Sequence, residues 1–227
     1  MKKYSVILFD ADGTLFDFPK CEREAFRDAL LRSGVDADEA MVSAYHKIND
    51  DLWKALERKE IERSELVFRR FEIFAERYGL SIDSKIMARD YADCLAEKVY
   101  FIDGARELIS ALYGKVRMYI VTNGIERVQR SRWEISGLES YFDGLFISEA
   151  IGANKPDPRF FDCVAASIEG FERDCALVVG DSLSSDIAGG AGYQIDTCWF
   201  APDGGESSLP TYTVRALDEV LPIALGE

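Results

Sequence analysis

Apolar and polar positions change rhythm twice along the chain. Val6-Ile7-Leu8-Phe9 is a continuous apolar run of strand type, halted by Asp10-Ala11-Asp12-Gly13-Thr14, so the chain turns as soon as the first strand ends. Phe16-Asp17-Phe18-Pro19 reads as a linker, with Pro19 disfavouring helix at Phe18. From roughly Cys21 to Val99 the spacing is helical throughout. Met41, Tyr45, Ile48, Leu52 and Leu56 share one face, as do Val67, Phe71, Phe74 and Tyr78, and breaks fall at Gly34 and Gly79-Leu80-Ser81. About four helices with no strand between them predict a bundle inserted after the first strand.

Beyond Asp103 the pattern alternates. Asp103 is placed to cap a helix through Tyr113, and Val116–Val121 is a strand ending in Thr122-Asn123-Gly124. A helix over Ile125–Ser136, a short strand at Leu145–Ile147 and a helix opened by Asp157-Pro158 follow. Ala176–Val179 is a buried strand running into Gly180-Asp181. A small-residue helix over Ser184–Ala191 and strands at Thr197–Phe200 and Tyr212–Val214 complete the series. Alternation of this kind predicts a parallel sheet. The expected fold is therefore α/β, a parallel-sheet core made of residues 1–17 and 100–227 with an all-helical insertion at 18–99.

The 227 residues allow a sizeable core, and 27 basic against 41 acidic residues give a net charge of −14. So acidic a chain is expected neither to bind a nucleic-acid polymer nor to lie on an anionic membrane, both of which call for a basic patch. No apolar run approaches membrane-spanning length. Cys21, Cys94, Cys163, Cys175 and Cys198 are odd in number and never in CxxC spacing, which suggests neither a disulfide framework nor a zinc site. A reduced, cytoplasmic compartment is the expectation. His46, the lone histidine, has no partner at metal or nucleophile spacing and reads as a helix residue of surface or core.

Four polar clusters each follow a strand: Asp10 and Asp12, Thr122-Asn123-Gly124, Lys155-Pro156, and Gly180-Asp181 with Asp186. In an open α/β sheet the ligand-binding edge is the carboxyl end of the strands. Asp10, Asp12, Asp181 and Asp186 gathered there would repel one another unless a cation is present. Ligands that are all oxygen point to a hard ion, Mg²⁺ where a phosphate completes its shell. One aspartate could then act as nucleophile toward phosphorus. Thr122, the backbone N–H groups of Asn123-Gly124 and Lys155 would hold phosphate oxygens.

These four clusters, in this order, resemble the motifs of the haloacid dehalogenase-like (HAD) hydrolase superfamily, and the match spans essentially the whole chain. The resemblance implies a Rossmann-like core with a helical cap. It also implies Asp10 as nucleophile, Asp12 as general acid and base, and Thr122 and Lys155 as phosphate holders. Mg²⁺ would be bound by Asp10, the Asp12 backbone carbonyl and Asp181, with Asp186 as a further ligand or close by. Asp12 separates phosphatases from the true dehalogenases of the superfamily, which lack an aspartate there. Softer features, among them Phe16 and Phe18, Leu52-Trp53 and Thr197-Cys198-Trp199, resemble the pyrimidine 5′-nucleotidase branch.

The expected substrate is thus a small phosphate ester, a pyrimidine nucleoside monophosphate, acted on by a monomer or homodimer. Phe18, Tyr45 and Trp53 are the candidates for stacking on the base. A sugar-phosphate phosphatase or a phosphomutase on the same scaffold is the alternative. A non-catalytic nucleotide-binding protein is the remote one.

Overall fold

The computed structural model describes residues 3–227. The chain divides into two compact units, Met1–Asp17 with Tyr100–Glu227, and Phe18–Val99. In order, β1 (Val6–Phe9) is followed by α1 (Phe18–Arg32), α2 (Glu39–Glu57), α3 (Arg63–Tyr78) and α4 (Ser84–Ala96). Then come α5 (Ala105–Leu112), β2 (Arg117–Thr122), α6 (Glu126–Ser136), β3 (Gly144–Ile147), α7 (Ser148–Ile151) and α8 (Pro158–Ser167). The chain ends with β4 (Ala176–Gly180), α9 (Ala188–Gly192), β5 (Asp196–Phe200), β6 (Tyr212–Val214) and α10 (Val220–Leu225).

Among the described residues six strands form one sheet in the order β3-β2-β1-β4-β5-β6, and each of these pairings is parallel. A parallel sheet is covered on both faces, so its central strands carry no polar alternation. β1 and β4 are accordingly buried at every position. β1 lies between β2 and β4, and the register sets Phe9 opposite both Ile120 and Val179. Asp10, the end of β2 and the end of β4 therefore finish at one level. The chain leaves β1 toward β2 and β3 on one side and returns to β4 and β5 on the other, which makes this edge the topological switch point. One face of the sheet is filled by Val6, Leu8, Val121 and Val178 packed with Phe160, Phe161 and Val164 of α8.

The helical unit has an aromatic core. Tyr45 stacks against Phe26, with ring centroids 4.0 Å apart, and against Phe71 at 5.4 Å, and Phe74 meets Phe26 edge-on. Phe26, Phe71 and Phe74 are fully buried, each worth about 1.5–3 kcal/mol of transfer free energy. A polar chain crosses this core. The buried Glu22 accepts from Asn49 at 2.7 Å and pairs with His46 Nδ1 at 2.5 Å, and Arg70 donates to Asn49 Oδ1 at 2.9 Å. His46 is thus a helix residue whose ring closes on an internal carboxylate.

Local boundaries differ from the sequence reading in three places. α1 begins at Phe18, not beyond Pro19, because a first-turn proline loses no intrahelical hydrogen bond. α5 starts after Gly104, which adopts φ 83°, and not after an Asp103 cap. The small-residue helix opens with a π-helical turn over Leu183–Ile187 before α9 begins.

Candidate active site

Lys155 is the hub of the site. Its side chain is 1 % exposed, and its ammonium donates to Asp10 Oδ1 at 2.6 Å, Asp186 Oδ1 at 2.5 Å and the Val121 carbonyl at 2.6 Å. All three ammonium hydrogens are therefore committed. Asn123 fixes the backbone that carries it: its amide donates to the Lys155 carbonyl and accepts from the Lys155 N–H, both at 2.9 Å. The Asn123 side chain thus holds the loop. Thr122, at the end of β2 and buried, accepts from Gly124 N–H at 3.1 Å.

Oxygens of Asp10, Asp181 and Asp186 lie within 4.8 Å of one another. Asp10 follows β1 directly and donates its N–H to the Val179 carbonyl at 2.8 Å. Asp181 follows β4, where Thr14 donates to its Oδ1 at 3.1 Å and Trp199 Nε1 donates to its carbonyl at 2.8 Å. Asp186 sits in the π-helical turn and accepts from Ser182 N–H at 3.1 Å. Two glycines make this crowding possible. A Cβ at Gly13, which adopts φ 90°, would lie 2.5 Å from Asp181 Oδ2, and one at Gly180 would lie 2.4 Å from the Asp186 carboxyl.

The electrostatics follow from burial. Desolvation raises Asp10 well above the usual carboxylate range, Lys155 opposes that rise, and Asp186 and Asp181 add to it. Desolvation, then Asp186, pushes Asp181 up to about 7. Burial works against charge on Lys155, but Asp10 and Asp186 outweigh it and raise its pKa above that of an ordinary lysine. Fully ionised, three carboxylates facing one ammonium would leave two negative charges in excess, and the raised Asp10 and Asp181 show what that ionisation costs without a cation. A divalent cation on hard oxygen ligands would balance that excess, and these residues fit one.

Asp12 does not join this cluster through its side chain. Its carboxylate turns toward α6, where Gln129 Nε2 donates to Oδ2 at 2.6 Å and Arg132 donates to Oδ1 at 2.5 Å. Arg132 is fully buried, and its guanidinium lies over the Phe16 ring, 4.6 Å from the centroid. The sequence reading names neither Gln129 nor Arg132, and it quotes Thr14 and Trp199 only as members of motifs, with no role of their own. A local signal existed for the first two: they stand three apart on the helix that follows Thr122-Asn123-Gly124, and so share a face.

Of the stacking candidates, Tyr45 is 1 % exposed, and the rings of Phe26 and Phe71 pack on it. That corrects its expected role, since a ring closed into the helical core has no face to offer a base. Trp53 is half-buried with the Arg63 guanidinium 5.5 Å from its ring centroid, and Phe18 is half-buried at the start of α1.

The model of the haloacid dehalogenase-like hydrolases matches residues 7–200. The chain belongs to that family. Among HAD relatives, the pyrimidine 5′-nucleotidase PynA of Streptococcus pneumoniae is 37% identical over 96% of this chain and 94% of its own. The pyrimidine 5′-nucleotidase YjjG of Escherichia coli is 33% identical over 96% of each. The crystal structure of the HAD-hydrolase YfnB from Bacillus subtilis, bound to magnesium, superposes with a TM-score of 0.94 at 37% identity, covering 98% of this chain and 99% of that one. The HAD fold and hydrolase class expected from the four motifs are thus shown. No helix of the described residues is long and apolar enough to cross a membrane.

Proposed function

We propose that this HAD hydrolase is a Mg²⁺-dependent phosphomonoesterase that hydrolyses pyrimidine nucleoside 5′-monophosphates through an aspartyl-phosphate. Residues 1–17 and 100–227 would form its catalytic core and residues 18–99 its cap. The observation that carries the reading is the set of Asp10, Asp181 and Asp186 within 4.8 Å, with Lys155 bonded to two of them. The nucleotidase relatives favour the substrate class.

In this reading Asp10 attacks phosphorus, the ester P–O bond breaks, and Asp12 delivers its proton to the departing alkoxide. Asp12 then takes a proton from water. That water attacks the phosphorus of the aspartyl-phosphate, returning the Asp10 carboxylate and releasing inorganic phosphate. Thr122 and the N–H groups near Asn123 would bind the phosphate oxygens, and Lys155 would join them by turning one N–H away from its acceptors. Mg²⁺, held by Asp10, Asp181, Asp186 and the Asp12 carbonyl, would supply charge stabilisation for the transferring phosphoryl group.

Phosphate release from UMP, dUMP, dTMP, purine monophosphates and sugar phosphates tests the proposal. A pyrimidine preference is expected, with chelation abolishing it, added Mg²⁺ restoring it, and Asp10→Asn slowing turnover by about a thousandfold or more. Activity that survives EDTA, or an active Asp10→Asn, would refute the chemistry. A sugar-phosphate preference would refute the substrate class.

A further inference from the structure

We propose that Arg132 and Gln129 are the positioning residues of Asp12, fixing the acid–base carboxyl for the reaction proposed above. The inference rests on that reading and deepens it. Each Asp12 oxygen has its own donor on α6, Gln129 at 2.6 Å and Arg132 at 2.5 Å. A carboxylate gripped at both oxygens cannot rotate freely about its terminal bond. Arg132 is fully buried and packed over Phe16, and Gln129 is 3 % exposed, so both donors are themselves held by packing. Asp12 keeps 22 % of its side-chain surface open, which leaves it a side from which a leaving group can be reached.

The two partners divide the work. Arg132 carries only donors, so it anchors Asp12 Oδ1 from one fixed direction. A glutamine amide offers N–H to a carboxylate and, turned over, its carbonyl to a carboxylic acid. Gln129 can therefore hold Asp12 in both protonation states. Gly124 is part of the same device. A Cβ there would lie 2.2 Å from Gln129 Nε2 and 2.7 Å from its Cδ, so the amide reaches Asp12 by lying across a bare backbone. Any side chain at 124 would push it away.

A leaving-group comparison separates positioning from structural support. An alkoxide departs only with a proton from the general acid, whereas p-nitrophenolate departs unaided. The ratio of kcat/KM for UMP to that for p-nitrophenyl phosphate, measured with Mg²⁺, therefore reads the acid step alone. Arg132→Lys, Gln129→Leu and Gly124→Ala are each expected to lower this ratio by about ten- to a hundredfold. In an Asp12→Asn background, Gln129→Leu should leave the ratio unchanged within about threefold, as expected of groups acting as a unit. Should Arg132→Lys fail to fold, Gly124→Ala carries the test, since it changes neither the buried cation nor the core. Equal losses on both esters, or a wild-type ratio in all three variants, would overturn the assignment. A wild-type protein that hydrolyses neither ester would instead overturn the proposed function.

Discussion

Metal-free protein is expected to lose stability as pH rises from about 4 to about 7. Burial and the neighbouring Asp186 raise Asp181 from 3.8 to about 7, so over that window the folded state keeps a proton that the unfolded chain has released. Below the window both states are protonated and nothing is lost, and above it the cost is fully present and constant. At about 1.4 kcal/mol per unit the whole shift is worth about 4 kcal/mol. Partial exposure of Asp181 and proton sharing with Asp10 and Asp186 reduce the expected fall to about 2–3 kcal/mol. Asp10, raised in the same direction, adds to the slope with the same sign.

Urea unfolding in EDTA, extrapolated to water at several pH values between about 4 and 8, measures the fall. Asp181→Asn is the control, since an asparagine carbonyl can still accept the Thr14 hydroxyl. His46 also contributes: its bond to Glu22 raises its pKa, giving stability present below its ordinary value and lost as pH rises through the raised one. That contribution is common to both proteins, so the difference curve reports Asp181 together with the part of the Asp10 rise that Asp181 causes, both of the same sign. With saturating Mg²⁺ the difference should reverse, because a ligated carboxylate gains from ionisation. A difference curve that is flat in EDTA, or one that rises with pH, would refute the reasoning.

Lys155→Met should destabilise the protein by about 3–5 kcal/mol in denaturant unfolding, because it strands two buried carboxylates and the Val121 carbonyl; a loss below about 1 kcal/mol would contradict the role of Lys155 as hub. Tyr45→Phe removes a buried hydroxyl that makes no hydrogen bond of good geometry among the described residues, so stability should stay level or rise by up to about 1 kcal/mol. The same variant should leave the substrate profile unchanged in the phosphate-release panel, and a shifted profile would return Tyr45 to the binding site.

Much of the sheet unit was legible in the sequence because its signals are local. Apolar runs that stop at Asp10, Thr122 and Asp181 mark strand ends, and Asp157-Pro158 marks a helix start that the structure reproduces, with Asp157 accepting from Arg159 N–H. At Pro19 the first-turn tolerance for proline outweighs the restriction on the residue before it, so α1 includes Phe18. The π-helical turn at Leu183–Ile187 was not legible. It brings Asp186 against the bare backbone of Gly180, a close fit that no periodicity encodes.

By itself the sequence determined which residues stand at the carboxyl edge of a parallel sheet, and hence that Asp10, Thr122, Lys155 and Asp181 would share one rim. Strand ends and turns are written in short stretches, and one rule about parallel sheets gathers them. Only the tertiary structure decided which of those groups meet. Lys155 reaches Asp10 across 145 residues of sequence, Gln129 reaches Asp12 across 117 and Arg132 across 120. It also closed Tyr45 into the core, although Tyr45 and Trp53 both lie on α2. Periodicity fixes the face of an element but not its neighbours. Those depend on strand order, on the level at which strands end, and on where a missing side chain, as at Gly13, Gly124 or Gly180, lets another group through.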